Sequence, residues 1–350
     1  MAPAAAPACE GVPVSSRPAI EVHELTKEFA GGVRALDGVS FTVEEGEVFG
    51  FLGRNGAGKS TTVRILTTLL RPTSGTAAVL GHDVVGAPSA VRKVFGAALQ
   101  DAALDELMTG REHLEMAGRL AGLGKPRSVE RAAELLERFG LKAAADRIAA
   151  GYSGGMRRRL DVAMAMVRRP EVLFLDEPTT GLDPQGRRAV WDLVRSLRDD
   201  GSTVFLTTQY LTEADELSGR VAVVSDGRIA AIGTSQELKD RLGATTVRVR
   251  AAVGDEARFR AAAGADPLVA TGDGWFEVTV GGGEAAVPGV VARLIGAGAP
   301  VDRLSIHPPS LEDVFVGLTG TEIESSAGGA DDGRITAVRR GLGVPGGLGR

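Results

Sequence analysis

Residues 53–60, Gly-Arg-Asn-Gly-Ala-Gly-Lys-Ser, constrain this chain more than any other stretch: they fit G-x-x-x-x-G-K-[ST] and stand between a strand-like run at 47–52 and a helical pattern over 58–70. A strand, a glycine loop and a helix in that order make a phosphate cradle. Glycines let successive backbone N–H groups turn toward an anion, and the N-terminus of the following helix adds partial positive charge. Lys59 then reaches the β- and γ-phosphates and Ser60 ligates Mg²⁺.

A triphosphate with Mg²⁺ also needs a carboxylate at the end of a neighbouring strand, and the run Val172-Leu173-Phe174-Leu175-Asp176-Glu177 supplies two in succession. Asp176 is expected to hold the metal. Consecutive strand residues face opposite ways, which leaves Glu177 as the base that polarises an attacking water. These motifs alone suit a nucleotide kinase, a GTPase or a helicase equally. Three further segments narrow the choice: Tyr152-Ser153-Gly154-Gly155-Met156, a second glycine-rich helix start with no phosphate of its own; Gly181-Leu182-Asp183-Pro184; and an isolated Gln100 closing an apolar run.

Composition bounds the rest. At roughly 150 residues per domain, 350 residues suggest two domains. The formal net charge of −5 gives no broad basic footprint for nucleic acid or anionic lipid. One cysteine, Cys9, permits no intramolecular disulfide, and the four histidines lack metal-ligand spacing. The longest stretch free of charged residues, 201–212, falls far short of the ~20 apolar residues that cross a bilayer. Residues 1–9 lack the basic start of a secretory signal, so the chain is expected in the cytoplasm.

Along the chain, residues 1–18 and 320–350 read as flexible Ala/Pro-rich and Gly-rich ends. Between them the sequence divides into an α/β block over 19–244, with strands at 20–25, 39–43, 172–175 and 203–206 and a helical insertion over about 104–167, and an α+β block over 245–319. The second block has the order strand, helix, strand, strand, helix, strand, short helix, which matches a ferredoxin-like unit with one helix added. Arg157-Arg158-Arg159 reads as a solvated helix face, Trp191 as core, and Trp275 and Phe276 as strand packing.

Together these motifs resemble the ATP-binding cassette (ABC) family over about residues 20–240. The resemblance implies a P-loop ABC ATPase domain with an inserted helical subdomain and a smaller C-terminal domain. It assigns ATP contacts to the loop 53–61, including Gly53, Asn55, Gly56, Ala57, Gly58 and Thr61, to the signature residues Ser153, Gly154 and Gly155, and to Asp183. Phe29 stands where the family stacks an aromatic on adenine, and Gln100 where a loop touches metal and water while meeting the permease.

Two positions depart from the usual pattern. Tyr152 and Met156 replace the ends of L-S-G-G-Q, and Gln209 replaces the switch histidine. Glutamine does not titrate near neutral pH, so proton shuttling there is excluded and catalysis falls to Glu177, with Lys59 and Gln209 beside it. The segments 152–161 and 207–211, with the ending Pro309-Ser310-Leu311-Glu312-Asp313-Val314-Phe315, are similar to daunorubicin-resistance drug-export ATPases.

That resemblance implies a homodimer in which each phosphate loop is completed by the partner's Ser153 and Gly155. It also implies a separate integral-membrane permease that holds the chain at the inner face of the membrane, with no direct nucleic-acid contact. The alternative, a soluble cassette ATPase acting on nucleic acid or ribosomes, calls for two cassettes in one chain, a long coiled-coil insertion or a basic surface. The sequence carries none of these.

Overall fold

The structure is a computed structural model. It describes residues 18–320 except 101–103, 243, 252–255, 265, 273–274, 282–283 and 297–300, so the expected flexible ends lie outside the described residues save Pro18 and Gly320.

Three sheets organise the described residues. The central one has six strands in the order β10-β9-β3-β8-β7-β6. It comprises β3 (Val48–Gly53), β6 (Phe95–Ala98), β7 (Val172–Asp176), β8 (Thr203–Thr208), β9 (Arg220–Ser225) and β10 (Arg228–Gly233). All neighbours are parallel except the β9–β10 hairpin. β3, β7 and β8 are buried at every position, which explains why they read as unbroken apolar runs.

A second, antiparallel sheet holds β1 (Ile20–Glu28), β2 (Arg34–Val43), β4 (Ser74–Val79) and β5 (His82–Asp83) in the order β2-β1-β4-β5. Its strands bury one face only. The rings of Phe41 on β2, Phe49 and Phe51 on β3, and Phe205 on β8 pack with centroids 5.4–6.0 Å apart and tie the two sheets together.

Helix α1 (Lys59–Leu66) leaves the phosphate loop, and α2 (Pro88–Val94) leads into β6. α1 is shorter than the pattern over 58–70 predicts: Thr68 turns to φ +63°, and the N–H groups of Leu69 and Leu70 fold back to the carbonyl of Arg64. The helical arm is built from α3 (Gly110–Leu120), α4 (Lys125–Arg138) and α5 (Gly154–Ala165), around buried Leu114, Leu135, Leu136, Phe139 and Leu160. A reciprocal Thr109–Glu112 capping box starts α3. Helix α6 (Pro184–Asp199) follows β7 and α7 (Leu211–Leu217) follows β8.

After α8 (Ser235–Leu242) come β11 (Ala244–Ala251), α9 (Glu256–Ala263), β12 (Leu268–Gly272), β13 (Trp275–Gly281), α10 (Val287–Gly296) and β14 (Val301–His307). Their antiparallel order β12-β13-β11-β14 is the strand order of a ferredoxin-like sheet. Phe276 stacks on Phe259 inside its core. The last helix, α11 (Leu311–Thr319), opens with a Ser310–Asp313 capping box. It places Leu311, Val314 and Phe315 against Leu52, Leu211, Ala214 and Leu238. Helix α11 therefore packs beneath the strand that feeds the phosphate loop.

Candidate nucleotide site

The phosphate loop is shaped by positions that exclude any side chain. Gly56 and Gly58 take φ +83° and +103°, a region that suits glycine. A Cβ at Gly58 would lie 2.6 Å from the carbonyl oxygen of Ala35, and one at Gly53 would lie 2.6 Å from that of Val224. Asn55 and Gly56 are exposed, Ala57 is buried, and Thr61 lies half-buried on α1.

Lys59 is 3% exposed, and its ammonium is fully engaged. Nζ lies 3.0 Å from Glu177 Oε1 and donates to the carbonyls of Gly53 at 2.9 Å and Arg54 at 3.1 Å. Ser60 Oγ donates to Asp176 Oδ1 at 3.3 Å, and Thr207 Oγ1 donates to the same carboxylate oxygen. A hydroxyl and a carboxylate thus converge at the start of α1. That hard-oxygen pair fits Mg²⁺, which takes few protein ligands and keeps water and phosphate in its remaining positions.

Glu177 adopts φ +46°, uncommon for a residue with a long side chain. Its N–H is held by the carbonyl and the hydroxyl of Thr207, and its Oε2 accepts from Thr180 Oγ1 at 3.2 Å. Asp176 and Glu177 meet different neighbours, the first Ser60 and the second Lys59. Gln209 is 8% exposed in the turn between β8 and α7, where Tyr210 N donates to Thr208 Oγ1. Gln100 is exposed just past β6, and Phe29 is 41% exposed, with the Lys27 ammonium 5.3 Å from its ring centroid.

A second group forms around the start of α5. Ser153 is its N-cap and accepts from Met156 N, while Asp183 caps α6 by accepting from Gly186 N at 2.7 Å. The two helix starts touch: a Cβ at Gly155 would lie 3.0 Å from Gly186 Cα, and one at Gly154 would lie 3.1 Å from Leu182 Cδ2. Ser153 and Gly154 are exposed and Gly155 is buried.

Arg158 joins the two groups and corrects the reading of 157–159 as a solvated face. Arg157 and Arg159 are half-buried, and Arg158 is 7% exposed. Its guanidinium donates to the carbonyls of Ala98 (3.2 Å), Leu99 (2.7 Å) and Asp176 (2.9 Å), and to Asp161 Oδ2 (2.8 Å). Only the planar fork of arginine reaches so many acceptors, and it is what makes burial of the charge tolerable. A run of three arginines hides which one faces inward; the signal lay in Asp161 three residues on, an acid among apolar helix positions.

Burial pushes the Asp161 carboxyl up to about 6, against the pull of Arg158. The folded chain therefore keeps a proton that the unfolded chain releases near 3.8, so this group adds stability below pH 3.8 and withdraws it as pH rises to about 6. Asp161→Asn is expected to remove that decline. Urea denaturation midpoints across this window check it, and parallel profiles for the two proteins would contradict the assignment.

Comparison with known proteins bears on the family and the fold. Residues 36–180 match the family described as "ABC transporter", and residues 233–319 match "ATP-binding protein DrrA1-3-like, C-terminal domain". The chain is 56% identical over 232 residues to the daunorubicin/doxorubicin resistance ATP-binding protein DrrA of Streptomyces peucetius, covering 66% of this chain and 70% of that one. It is 48% identical over 308 residues to the daunorubicin resistance ATP-binding protein DrrA3 of Streptomyces coeruleorubidus, covering 87% and 96%. Among solved structures, a dimeric ATP-binding cassette in a post-hydrolysis state with ADP and Pi aligns at TM-score 0.57 and 25% identity, over 61% of this chain and 98% of that one.

Proposed function

The chain belongs to the ATP-binding cassette family of transporter ATPases, in its daunorubicin-resistance branch, and from that premise we propose that it powers export of a hydrophobic drug or antibiotic through a separate membrane permease. It is an ATP-binding and ATP-hydrolysing subunit. No helix among the described residues is long and apolar enough to cross a membrane. In this reading a separate permease passes the substrate and holds the chain at the inner face.

The observation that carries the reading is the convergence of Lys59, Glu177, Ser60 and Asp176 below one glycine loop. Lys59 neutralises the β- and γ-phosphates, Ser60 and Asp176 hold Mg²⁺, and Glu177 orients the attacking water; Gln100 and Gln209 flank the γ-phosphate. Phe29 lies against the adenine. When bound, Mg²⁺ supplies positive charge to phosphate oxygens as bond breaking develops charge there.

Ser153, Gly154, Gly155 and Asp183 form a second anion-facing surface, and a second copy of the chain brings it to the triphosphate. ATP then bridges two protomers, and hydrolysis weakens the bridge through differential affinity for closed and open states. The cycle reaches the permease through that opening and closing.

Ser153→Asp separates these roles, because aspartate is as good an N-cap as serine but sets a negative charge against a γ-phosphate. With MgATP, a Glu177→Gln protein is expected to double in mass by light scattering, and the Ser153→Asp/Glu177→Gln protein to remain single. The Ser153→Asp single variant, co-expressed with the permease, leaves drug accumulated in cells. Dimerisation and export unaffected by Ser153→Asp would overturn the reading.

A further inference from the structure

Glu213 on α7 is a buried acid that none of the roles above uses. Its residue is 0% exposed. Oε1 accepts from Thr179 Oγ1 at 2.9 Å and from Trp191 Nε1 at 3.2 Å, and Thr208 adds a side-chain hydrogen bond. Oε2 is buried with no partner. These donors come from three different segments. Thr179 lies two residues after Glu177, on the loop that continues to Asp183; Trp191 lies on α6, the helix that Asp183 caps; and Thr208 immediately precedes Gln209. Trp191, read from sequence as core, is thus packed against core side chains on one side and donates its N–H on the other.

We propose that Glu213 is a positioning residue that ties the loop carrying Glu177 and Asp183 to the turn carrying Gln209, so that the groups around the γ-phosphate shift as one body. The inference rests on the assignment of Glu177 and Gln209 to that phosphate. A single carboxyl reached from the loop after β7, from α6 and from the end of β8 makes their positions interdependent: moving one of them alone breaks a hydrogen bond at a group closed to solvent. Burial raises the carboxyl above its usual range, with Thr179, Trp191 and Thr208 pulling it back and Arg187 of α6 the nearby cation; Arg158 of α5 also feels its charge. A neutral acid here still accepts these bonds, so the network asks for the acceptor and not for the charge.

That distinction sets the test. Glu213→Gln keeps a carbonyl acceptor and is expected to hold kcat within threefold of wild type. Glu213→Leu is expected to lose at least tenfold in kcat while KM for ATP stays within threefold, since the phosphate loop is untouched. Thr179→Val, which removes one hydroxyl and little volume, is expected to follow Glu213→Leu in direction and covers the case in which the leucine variant fails to fold.

With Trp275→Phe as background, Trp191 becomes the one tryptophan and its emission reports the network. Adding MgATP to the Glu177→Gln protein in that background is expected to shift the emission, and Thr179→Val to abolish the shift. Wild-type kcat in Glu213→Leu or in Thr179→Val, Glu213→Gln as slow as Glu213→Leu, or an emission shift that survives Thr179→Val would overturn the proposal. Normal turnover in Glu177→Gln would instead overturn the assignment beneath it.

Discussion

Lys59→Ala is expected to leave no measurable ATP hydrolysis and to weaken nucleotide binding by at least a hundredfold. The residue does two things that alanine cannot. In the proposed site its ammonium is the cation for the β- and γ-phosphates, and preorganised charge in a water-excluded site is worth far more than the same charge in water. It also neutralises Glu177, whose side chain is only 7% exposed at 3.0 Å from Nζ.

Removing one member of a buried ion pair leaves the other charge unsolvated, at a cost of about 3–5 kcal/mol. A fall in the denaturation midpoint should therefore accompany the loss of binding, and Lys59→Ala/Glu177→Gln should recover most of that stability without recovering activity. Calorimetric titration with ATP, beside urea denaturation of the three proteins, checks both parts. Unchanged affinity in Lys59→Ala would mean that the loop does not cradle phosphate.

How much of this was legible follows from what burial does to a strand. β3, β7 and β8, covered on both faces, appear in the sequence as apolar runs whose ends carry Gly53, Asp176 and Thr208, so the sheet and its functional edge could be read together. β4 could not. Its Ser-Gly-Thr-Ala-Ala-Val has little strand propensity, and Gly75 is there because a Cβ would lie 2.3 Å from the carbonyl oxygen of Glu24. The antiparallel sheet was accordingly invisible as a unit, although two of its strands were found.

The site divides the same way. The residues proposed to meet ATP carry a spaced motif. Thr207, Arg158 and Glu213, which hold those residues from behind, are recognisable only by their partners. Thr207 serves Asp176 and the Glu177 backbone at once, from a strand 31 positions away from Asp176. No periodicity announces a contact of that kind.

Glu177→Gln is expected to lower kcat by about 10²–10⁴ while ATP still binds, because the change removes a base and leaves the cradle in place. The structure says why glutamine is the informative replacement. Glutamine has the same shape, can accept from Thr180 Oγ1 through its carbonyl, and makes no new demand on a backbone held at φ +46° by two bonds to Thr207. A left-handed conformation in a side-chain-bearing residue costs on the order of 1–3 kcal/mol, so a smaller substitute such as alanine would alter the strain together with the chemistry.

With glutamine the backbone at the β7 end is conserved; the ion pair with Lys59 is lost, and the ammonium keeps the carbonyls of Gly53 and Arg54. Binding and turnover then separate: the variant should hold MgATP, double in mass and stall. A rapid-quench measurement of a single turnover distinguishes this from slow product release, since loss of the base delays cleavage itself. Cleavage within tenfold of the wild-type rate would place the base elsewhere, and the Lys59–Glu177 pair would then be a structural element of the loop.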